Sequence, residues 1–345
     1  MPSLSVVIVA HDSRATLATT LRALEAELAD GDELIVVDNA STDGTPETVR
    51  EAHPAVNVLE TGANLGFAAA CNRGARAASG ELLCLLNPDA VPQPGWREAI
   101  ERPLADGRGW AAWQALVTAE GGHRINTRGG VVHFTGIAWA GGAGEPIDGA
   151  GARDAALREP GFVSGACLAI PRARYLELGG MPDEFFLYHE DVDLSLRLRL
   201  AGDTLGVESG AVVEHDYEFD KGARKWRYLE RNRWATVIRT YPGSLLALVL
   251  PALLATELAL VFVSAAGGWL PQKLRAWGET LAALPRLMRE RRAVQATRAV
   301  TAAEFARGLT PELGSAYLGA AARSRALAAV LRAYWALVLR LLGSG

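Results

Sequence analysis

Cysteine is scarce in this chain of 345 residues, and the three that it has, Cys71, Cys84 and Cys167, lie far apart in sequence. Their number is odd, none has the spacing of a zinc site, and each lies among apolar residues. These features exclude a disulfide framework and a cysteine-based zinc site. They predict buried free thiols in a reducing cytoplasm.

The sequence also lacks a basic surplus, since its formal net charge is −4 at pH 7. The charge is unevenly distributed. From Lys273 onward there are twelve basic and four acidic residues, so this part carries +8 and the remainder carries −12. An acidic front part argues against a nucleic-acid partner. The basic, apolar tail suits an anionic surface such as a membrane.

Two further patterns are missing. The turn Gly62–Phe67 lacks the GxGxxG spacing, which argues against a nicotinamide-dependent dehydrogenase. No basic residue precedes the apolar run Leu4–Ala10. We therefore expect this run to be a strand rather than part of a signal peptide.

The first 90 residues contain an alternation of strand and helix signals. Leu4–Ala10 is a continuous apolar, largely β-branched run, typical of a strand that is buried on both faces. The alternation predicts an α/β fold, with a Rossmann-like, mostly parallel sheet and helices on both faces. Later, the glycine-rich stretch 118–160 predicts loops and short strands. The further predictions are strands at 33–37, 56–60, 81–86, 162–171 and 211–213, and helices at 14–29, 46–52 and 67–78.

Polar residues follow two of these strands, at the edge where parallel sheets bind ligands. Asp38 and Asn39 follow the second strand, and Asn87-Pro88-Asp89 follows the fourth. Between them, Gly62–Phe67 opens a helix that contains Arg73. A glycine at a helix start suits a phosphate group, and an ordinary strand-to-helix turn is the structural alternative.

Three carboxylates lie within four residues, at Glu190, Asp191 and Asp193. They follow an aromatic run and precede a predicted helix that ends at Ala201-Gly202. Acidic residues in a first turn are favoured by the helix dipole, so an acidic helix start is the structural alternative. The functional interpretation is a general base or a metal site beside an aromatic wall.

Five motifs resemble, in order and spacing, those of family 2 glycosyltransferases with a GT-A fold. They are Val36–Asn39, Asn64–Phe67, Asn87–Asp89, Glu190–Asp191 and His215. The resemblance covers residues 3–240. The stretch Phe185–Leu194 is most similar to the bacterial rhamnosyltransferase branch of that family.

The resemblance implies where the donor binds. Asp38 would hydrogen-bond the pyrimidine base of a nucleotide sugar. The remaining nucleotide-sugar site would be formed by Asn39, Asn64, Gly66, Arg73 and Asn87.

The resemblance also implies the chemistry. Asp89 and His215 would hold Mg²⁺ or Mn²⁺, which stabilises the charge of the leaving diphosphate. Asn87 stands where the family's DxD motif begins with an aspartate, so the site has one charge fewer. Asp191, with Glu190 beside it, would be the catalytic base of an inverting transfer, and a base contributes roughly 10²–10⁴ in rate.

Leu245–Val263 is an apolar run of nineteen residues that contains Glu257 and Pro251. Its length is sufficient to span a bilayer, but the carboxylate and the proline make insertion marginal. Seven basic residues flank it on each side, so charge gives no preferred orientation. We expect a re-entrant or interfacial helix, with a second basic, Ala/Leu-rich helix at 316–342. A packed helical subdomain or an oligomer interface is the alternative.

The sequence therefore predicts a GT-A catalytic domain over residues 1–240 and a helical, membrane-associated region over 241–345. The predicted activity is inverting, metal-dependent transfer of rhamnose or another sugar at the cytoplasmic face of the cell membrane. The donor would be dTDP-, UDP- or GDP-linked, and the acceptor a lipid-linked or cell-envelope glycan.

Two other functions are weighed against this one. A non-catalytic nucleotide-sugar-binding or scaffold protein with a decayed metal site is disfavoured by intact Asp89, Asp191 and His215. A nucleotidyltransferase is disfavoured because the chain has no glycine-rich, lysine-bearing loop near its N-terminus.

Overall fold

The computed structural model describes residues 2–147, 159–216, 222–314 and 324–343. The chain divides into two compact units. Unit 1 comprises Met1–Gly130, Ala140–Ser195 and Thr204–Glu218, and unit 2 comprises Val131–Trp139, Leu196–Asp203 and Phe219–Gly345. Unit 2 thus takes two short segments from the part of the chain that precedes residue 219.

The strands and helices are numbered in chain order. The strands are β1 Leu4–Ala10, β2 Glu33–Asp38, β3 Asn57–Glu60, β4 Leu82–Leu86, β5 Val91–Pro92, β6 Trp110–Ala119, β7 Arg124–Thr127, β8 Gly130–Val132, β9 Ala138–Ala140, β10 Cys167–Pro171 and β11 Thr204–Glu214. The helices are α1 Arg14–Glu27, α2 Thr45–Ala52, α3 Phe67–Ala77, α4 Trp96–Ala105, α5 Arg172–Glu177, α6 Glu190–Leu200, α7 Arg224–Thr240, α8 Gly243–Ala266, α9 Leu270–Ala296, α10 Ala302–Ala306 and α11 Arg325–Gly343.

Unit 1 is built on a mixed sheet with the strand order β3-β2-β1-β4-β10-β6-β11-β5, and β7 pairs with β6. The first four strands along the chain pair in parallel, as predicted. Antiparallel pairing enters through β10, which joins β4 to β6, and through β5, which pairs with β11. The predicted strand at 162–171 is shorter than expected, because pairing begins only at Cys167.

The core of unit 1 lies between this sheet and its helices. All seven residues of β1 are buried, which explains why its sequence is apolar without alternation. On α1, Leu17, Leu21 and Leu24 are buried at helical spacing against the same core. The three cysteines are buried and free, as the sequence predicted.

Unit 2 contains α7 to α11. Helix α8 continues through Pro251 and buries one stripe of side chains at helical spacing. Its opposite side exposes Leu254, Leu258 and Phe262, by 59%, 63% and 68%. Within the part of the chain that the structure describes, α8 and α11 are long and apolar enough to cross a membrane. The stripe that α8 buries consists of Leu245, Val249, Leu253, Glu257, Leu260 and Ser264.

Glu257, the charge inside the apolar run, is buried in an ion cluster within unit 2. Lys273 Nζ donates to Glu257 Oε2 at 3.0 Å and to Glu230 Oε2 at 2.6 Å. Arg233 contacts both carboxylates, and Trp277 Nε1 donates to Glu257 Oε2 at 2.6 Å. The negative charge of Glu257 is therefore compensated by Arg233 and Lys273, which lie on other helices of unit 2.

The second predicted tail helix is α11, which begins at Arg325. Part of the stretch predicted for it, residues 316–323, lies outside the described residues, as do residues 148–158 of the predicted glycine-rich loop region. On α11, Val330 and Leu337 are exposed, whereas Trp335 is buried and stacks on Phe134 with ring centroids 4.9 Å apart.

Candidate active site

The end of β2 and the loop before α3 are joined by side-chain hydrogen bonds. Asn39 Nδ2 donates to Asn64 Oδ1 at 3.0 Å, and Asn39 Oδ1 accepts from Leu65 N at 2.8 Å. Asn64 Oδ1 also accepts from Gly66 N at 3.0 Å. These bonds hold the predicted donor loop against the carboxyl end of β2.

Asp38 presents an unsatisfied oxygen at the same place. Its Oδ2 accepts from Ser41 N at 3.2 Å, whereas Oδ1 is buried and has no hydrogen-bond partner among the described residues. A buried carboxylate oxygen without a donor is costly, so this oxygen is available to accept a hydrogen bond from a ligand or a water molecule.

Asp89 and His215 meet although they are far apart in sequence. Asp89 Oδ1 lies 3.1 Å from His215 Nε2. The contact arises because β5, which follows Asp89, pairs with Val213 and Glu214 at the end of β11. His215 N also donates to Thr118 O at 2.8 Å, which fixes the imidazole beside β6.

This pair has the chemistry of a partial cation site. The Asp89 carboxylate is 39% exposed and the His215 imidazole 3% exposed, so one ligand is open and the other is enclosed. No third His, Cys, Asp or Glu joins them within the described residues. A hard oxygen with an imidazole suits Mn²⁺, and Mg²⁺ is often held by one or two protein groups plus substrate phosphates. The two side chains therefore fit a cation that a diphosphate helps to bind.

Glu190 and Asp191 form the first turn of α6, as the acidic cluster predicted. Asp191 Oδ2 accepts from Gly165 N at 3.1 Å, and its Oδ1 accepts from Val192 N at 2.8 Å. Glu190 is 6% exposed, and its Oε2 has no hydrogen-bond partner among the described residues. The pair thus combines a carboxylate that is held by backbone donors with a carboxyl group that is buried beside it.

Burial raises the pKa of both carboxyl groups. For Glu190, burial and the neighbouring charge of Asp191 raise the pKa to about 8, which favours its protonated form. Burial also raises the pKa of Asp191, while the N–H groups of Gly165 and Val192 act against that rise. Both shifts are therefore upward, and the two backbone donors stabilise the charged form of Asp191.

One loop connects Asp191, the predicted base, to Asn87 in the predicted cation-binding motif. Gly165 donates to Asp191, and the carbonyl group of the next residue, Ala166, accepts from Asn87 N at 3.1 Å. The loop itself is held by Ser164 N, which donates to buried Gln114 Oε1 at 2.8 Å. Asn87, Asp89 and Asp191 are therefore parts of one constellation in unit 1.

Arg73 differs from the other predicted residues. Its side chain is exposed on α3 and makes no hydrogen bond or ion pair with any described residue. Asn72, the preceding residue, is instead buried and fully hydrogen-bonded. Hydrogen bonds therefore link Asn39 to Asn64 and, through residues 165–166, Asn87 to Asp191. Arg73 takes no part in these bonds.

The residues that connect these motifs lie outside the predicted motifs themselves. Gly165 and Ala166 contribute backbone groups, for which side-chain chemistry gives no signal. Phe186 also acts through its backbone, because its carbonyl group accepts from Phe67 N at 2.6 Å. The only sequence signal was the glycine at 165 inside a predicted strand, which often marks a close approach.

Comparison with known proteins relates part of the chain to a glycosyltransferase family. Residues 5–139 match the family described as glycosyl transferase family 2. Two curated relatives from strains of Mycobacterium tuberculosis are named N-acetylglucosaminyl-diphospho-decaprenol L-rhamnosyltransferase. Each is 30% identical over 203 residues, which is 53% of this chain and 66% of the relative, just under two thirds. Glycosyltransferase AglE of Haloferax volcanii is 31% identical over 103 residues, which is 28% of this chain and 34% of that protein.

Two solved structures share the fold. The structure of GalNAc-T7 with UDP, GalNAc and Mn²⁺ superposes with a TM-score of 0.56 at 18% identity, over 72% of this chain and 50% of that one. S. aureus TarS superposes with a TM-score of 0.55 at 14% identity, over 99% of this chain and 54% of that one. Residues 5–139 therefore match glycosyl transferase family 2, the fold is of the GT-A type, and the sequence is similar to the rhamnosyltransferase branch of that family.

Proposed function

We propose that this protein is an inverting, metal-dependent glycosyltransferase that moves a sugar from a nucleotide diphosphate sugar to a lipid-linked glycan acceptor. The observation that carries the proposal is the loop 163–166, which hydrogen-bonds both the predicted base Asp191 and the cation-binding motif at Asn87. A single displacement at an anomeric carbon needs a general base and a diphosphate site in fixed positions, and one loop holds both predicted groups here.

In this reaction Asp191 takes the proton of the acceptor hydroxyl group. The resulting oxygen attacks the anomeric carbon as the bond from that carbon to the diphosphate oxygen breaks, which inverts the configuration. The raised pKa of Glu190 favours its protonated form, which avoids a second negative charge beside Asp191. The N–H of Gly165 holds Asp191 Oδ2 and fixes the orientation of the carboxylate.

The nucleotide end of the donor is held at β2. The unpartnered Oδ1 of Asp38 is placed to accept an N–H of the base, and the Asn39–Asn64 pair holds the loop beside it. A divalent cation bound by Asp89 and His215 would neutralise charge on the diphosphate as it leaves. A nucleotide-sugar-binding or scaffold protein with a decayed metal site is the non-catalytic alternative, and transfer assays separate the two.

The names of the relatives support a particular sugar and acceptor. The M. tuberculosis proteins are named for transfer of L-rhamnose to a decaprenyl-linked diphosphate sugar. We infer a rhamnose donor linked to dTDP as the first candidate, with UDP- and GDP-linked sugars as the others. The exposed apolar side chains of α8 and α11 suit an acceptor that is presented at a membrane surface, and we infer the cytoplasmic face.

A donor screen tests the proposal. Purified protein is incubated with dTDP-rhamnose, UDP-glucose or GDP-mannose, with and without a synthetic polyprenyl diphosphate N-acetylglucosamine, and nucleotide release is followed. Acceptor-dependent release from one donor, abolished by EDTA and giving a product of opposite anomeric configuration, supports the proposal. Binding of nucleotide without acceptor-dependent release from any donor would favour the non-catalytic alternative.

A further inference from the structure

We propose that α3 is a clamp that positions the catalytic pair, with Asn72 as its central positioning residue. The inference rests on the proposed function, because it assigns a purpose to holding Glu190 and Asp191 in place. The clamped element is the segment 180–189, which leads directly into the first turn of α6. Its two attachment points are Asn72 and the backbone N–H of Phe67, and both belong to α3.

Asn72 forms the first attachment. Its Nδ2 donates to Met181 O at 2.6 Å and to Asp183 Oδ1 at 2.6 Å. Its Oδ1 accepts from Met181 N at 2.9 Å and from Tyr175 Oη at 2.6 Å. An asparagine side chain has two donor hydrogens and two acceptor positions, so its hydrogen-bonding capacity is fully used. Because Asn72 is 3% exposed, these bonds are made without competition from water.

Phe67 forms the second attachment, at the start of the same helix. Its N–H donates to Phe186 O at 2.6 Å. The approach is close enough to require glycine at position 66, where a Cβ atom would lie 2.5 Å from Phe186 O. The first attachment has the same requirement, because a Cβ atom on Gly180 would lie 2.1 Å from Asn72 Oδ1.

The clamped segment needs support because its backbone is strained. Phe186, Tyr188 and His189 have φ angles of 62°, 70° and 68°, in the left-handed region that non-glycine residues rarely adopt. Such conformations persist only where the surrounding structure over-determines them. They lie within five residues of Asp191, so relaxation of the segment would displace the first turn of α6.

The clamp also connects the two halves of the proposed site. The N-terminus of α3 follows the loop that Asn39 and Asn64 hold at the donor site. The same helix holds the segment that carries the base. We therefore infer that α3 fixes the distance between the donor and the base. Loss of the Asn72 bonds should then impair transfer without weakening donor binding.

The test compares Asn72→Ala with two variants of the full-length protein. We expect kcat to fall by on the order of 10²-fold, as displacement of a reacting group does, while the KM for the donor changes by less than about threefold. Hydrogen exchange of the peptide covering 181–189 should accelerate. Tyr175→Phe removes one of the four bonds and should lower kcat only slightly. Val49→Ala, at a buried position on α2, is the stability control and should lower the melting temperature without this loss of kcat.

The exchange measurement keeps the clamp separate from the proposed function. If the wild-type protein shows no transfer with any donor, the proposed function fails, and exchange at 181–189 still tests the clamp. Unchanged exchange there in Asn72→Ala would overturn the inference. A fall in kcat no larger than that of Val49→Ala at a matched loss of melting temperature would overturn it as well.

Discussion

At the residue scale, Glu190 makes folding stability depend on pH. Its pKa is raised from 4.5 to about 8 by burial and by the charge of Asp191. Between these pH values the folded state keeps a proton that the unfolded state has lost. The stabilisation that protonated Glu190 gives the folded state is fully present below pH 4.5 and is lost as the pH rises through 8. The free energy of unfolding therefore falls, by at most about 1.4 kcal/mol per pH unit from this group.

Glu190→Gln should remove this dependence, because the amide does not titrate. We expect the free energy of unfolding of the variant to fall less between pH 5 and pH 8 than that of the wild type. Urea denaturation at several pH values measures it. Glu98→Gln, the same change at an exposed position on α4, is the control. Parallel curves for wild type and Glu190→Gln would show that Glu190 is ionised in the folded protein.

Asp38 gives the second residue-scale prediction. Its Oδ1 is buried with no hydrogen-bond partner among the described residues, so a bound nucleobase would supply the missing donor. Asp38→Ala should weaken nucleoside diphosphate binding by about 10–100-fold, because a hydrogen bond to a charged group contributes roughly 1.5–3 kcal/mol. Isothermal titration calorimetry with dTDP, UDP and GDP measures the loss. If the variant bound each of the three nucleotides as tightly as the wild type does, Asp38 would not belong to the nucleotide site.

At the element scale, local patterns predicted β1 to β4 and the helices between them within one or two residues. The apolar runs of β1 and β2 and the leucine spacing of α1 identify these elements without reference to the rest of the chain. Strand β6 received no prediction. Its sequence mixes alanine, glutamine and tryptophan, and its strand conformation depends on pairing with β10 and β11, far along the chain.

The sequence likewise predicted some features of the candidate site and not others. Asp38, Asp89 and Asp191 were predicted because their carboxylates stand in recognisable motifs. The Asp89–His215 contact required β5 to pair with β11, and no local pattern predicts that pairing. The segment 163–166 was predicted as strand, whereas it holds Asp191 and Asn87 through backbone groups.

Helix α8 supplies an element-scale prediction. Glu257→Gln leaves Lys273 and Arg233 buried with only one carboxylate, Glu230. Breaking a buried ion pair typically costs about 3–5 kcal/mol, and we expect a loss of stability of that order. Glu312→Gln, at an exposed pair with Arg332, should change stability by less than about 1 kcal/mol. Guanidinium denaturation measures the free energy of unfolding of both variants. A similarly small loss of stability in both would mean that the buried cluster does not stabilise unit 2.

At the scale of the whole molecule, the exposed apolar side chains of unit 2 predict that the protein binds a membrane surface. Leu258 and Phe262 on α8 are exposed, as are Val330 and Leu337 on α11. Helices α9 and α11 also carry basic side chains beside exposed apolar ones. This combination of charge and apolar surface suits binding to anionic lipid. We expect the protein to float with vesicles containing phosphatidylglycerol, less so at high salt because screening weakens the charge contribution.

Replacing Leu258 and Phe262 together by aspartate should abolish flotation, because two charges would have to enter the lipid interface. Leu176→Asp, at an exposed leucine of unit 1, is the matched control and should float like the wild type. Wild-type protein that stays with the soluble fraction at low salt would exclude the lipid surface as the partner. The oligomer interface would then be examined by light scattering.

The account depends most on Asp191 as the base of a glycosyl transfer. The decisive measurement pairs acceptor-dependent transfer with nucleotide binding for Asp191→Asn, a change that keeps the shape of the side chain and removes its basicity. We predict that transfer falls by roughly 10²–10⁴ while nucleotide affinity is retained, as for loss of a general base. Transfer within about tenfold of the wild type, below the range expected for a general base, would contradict the account.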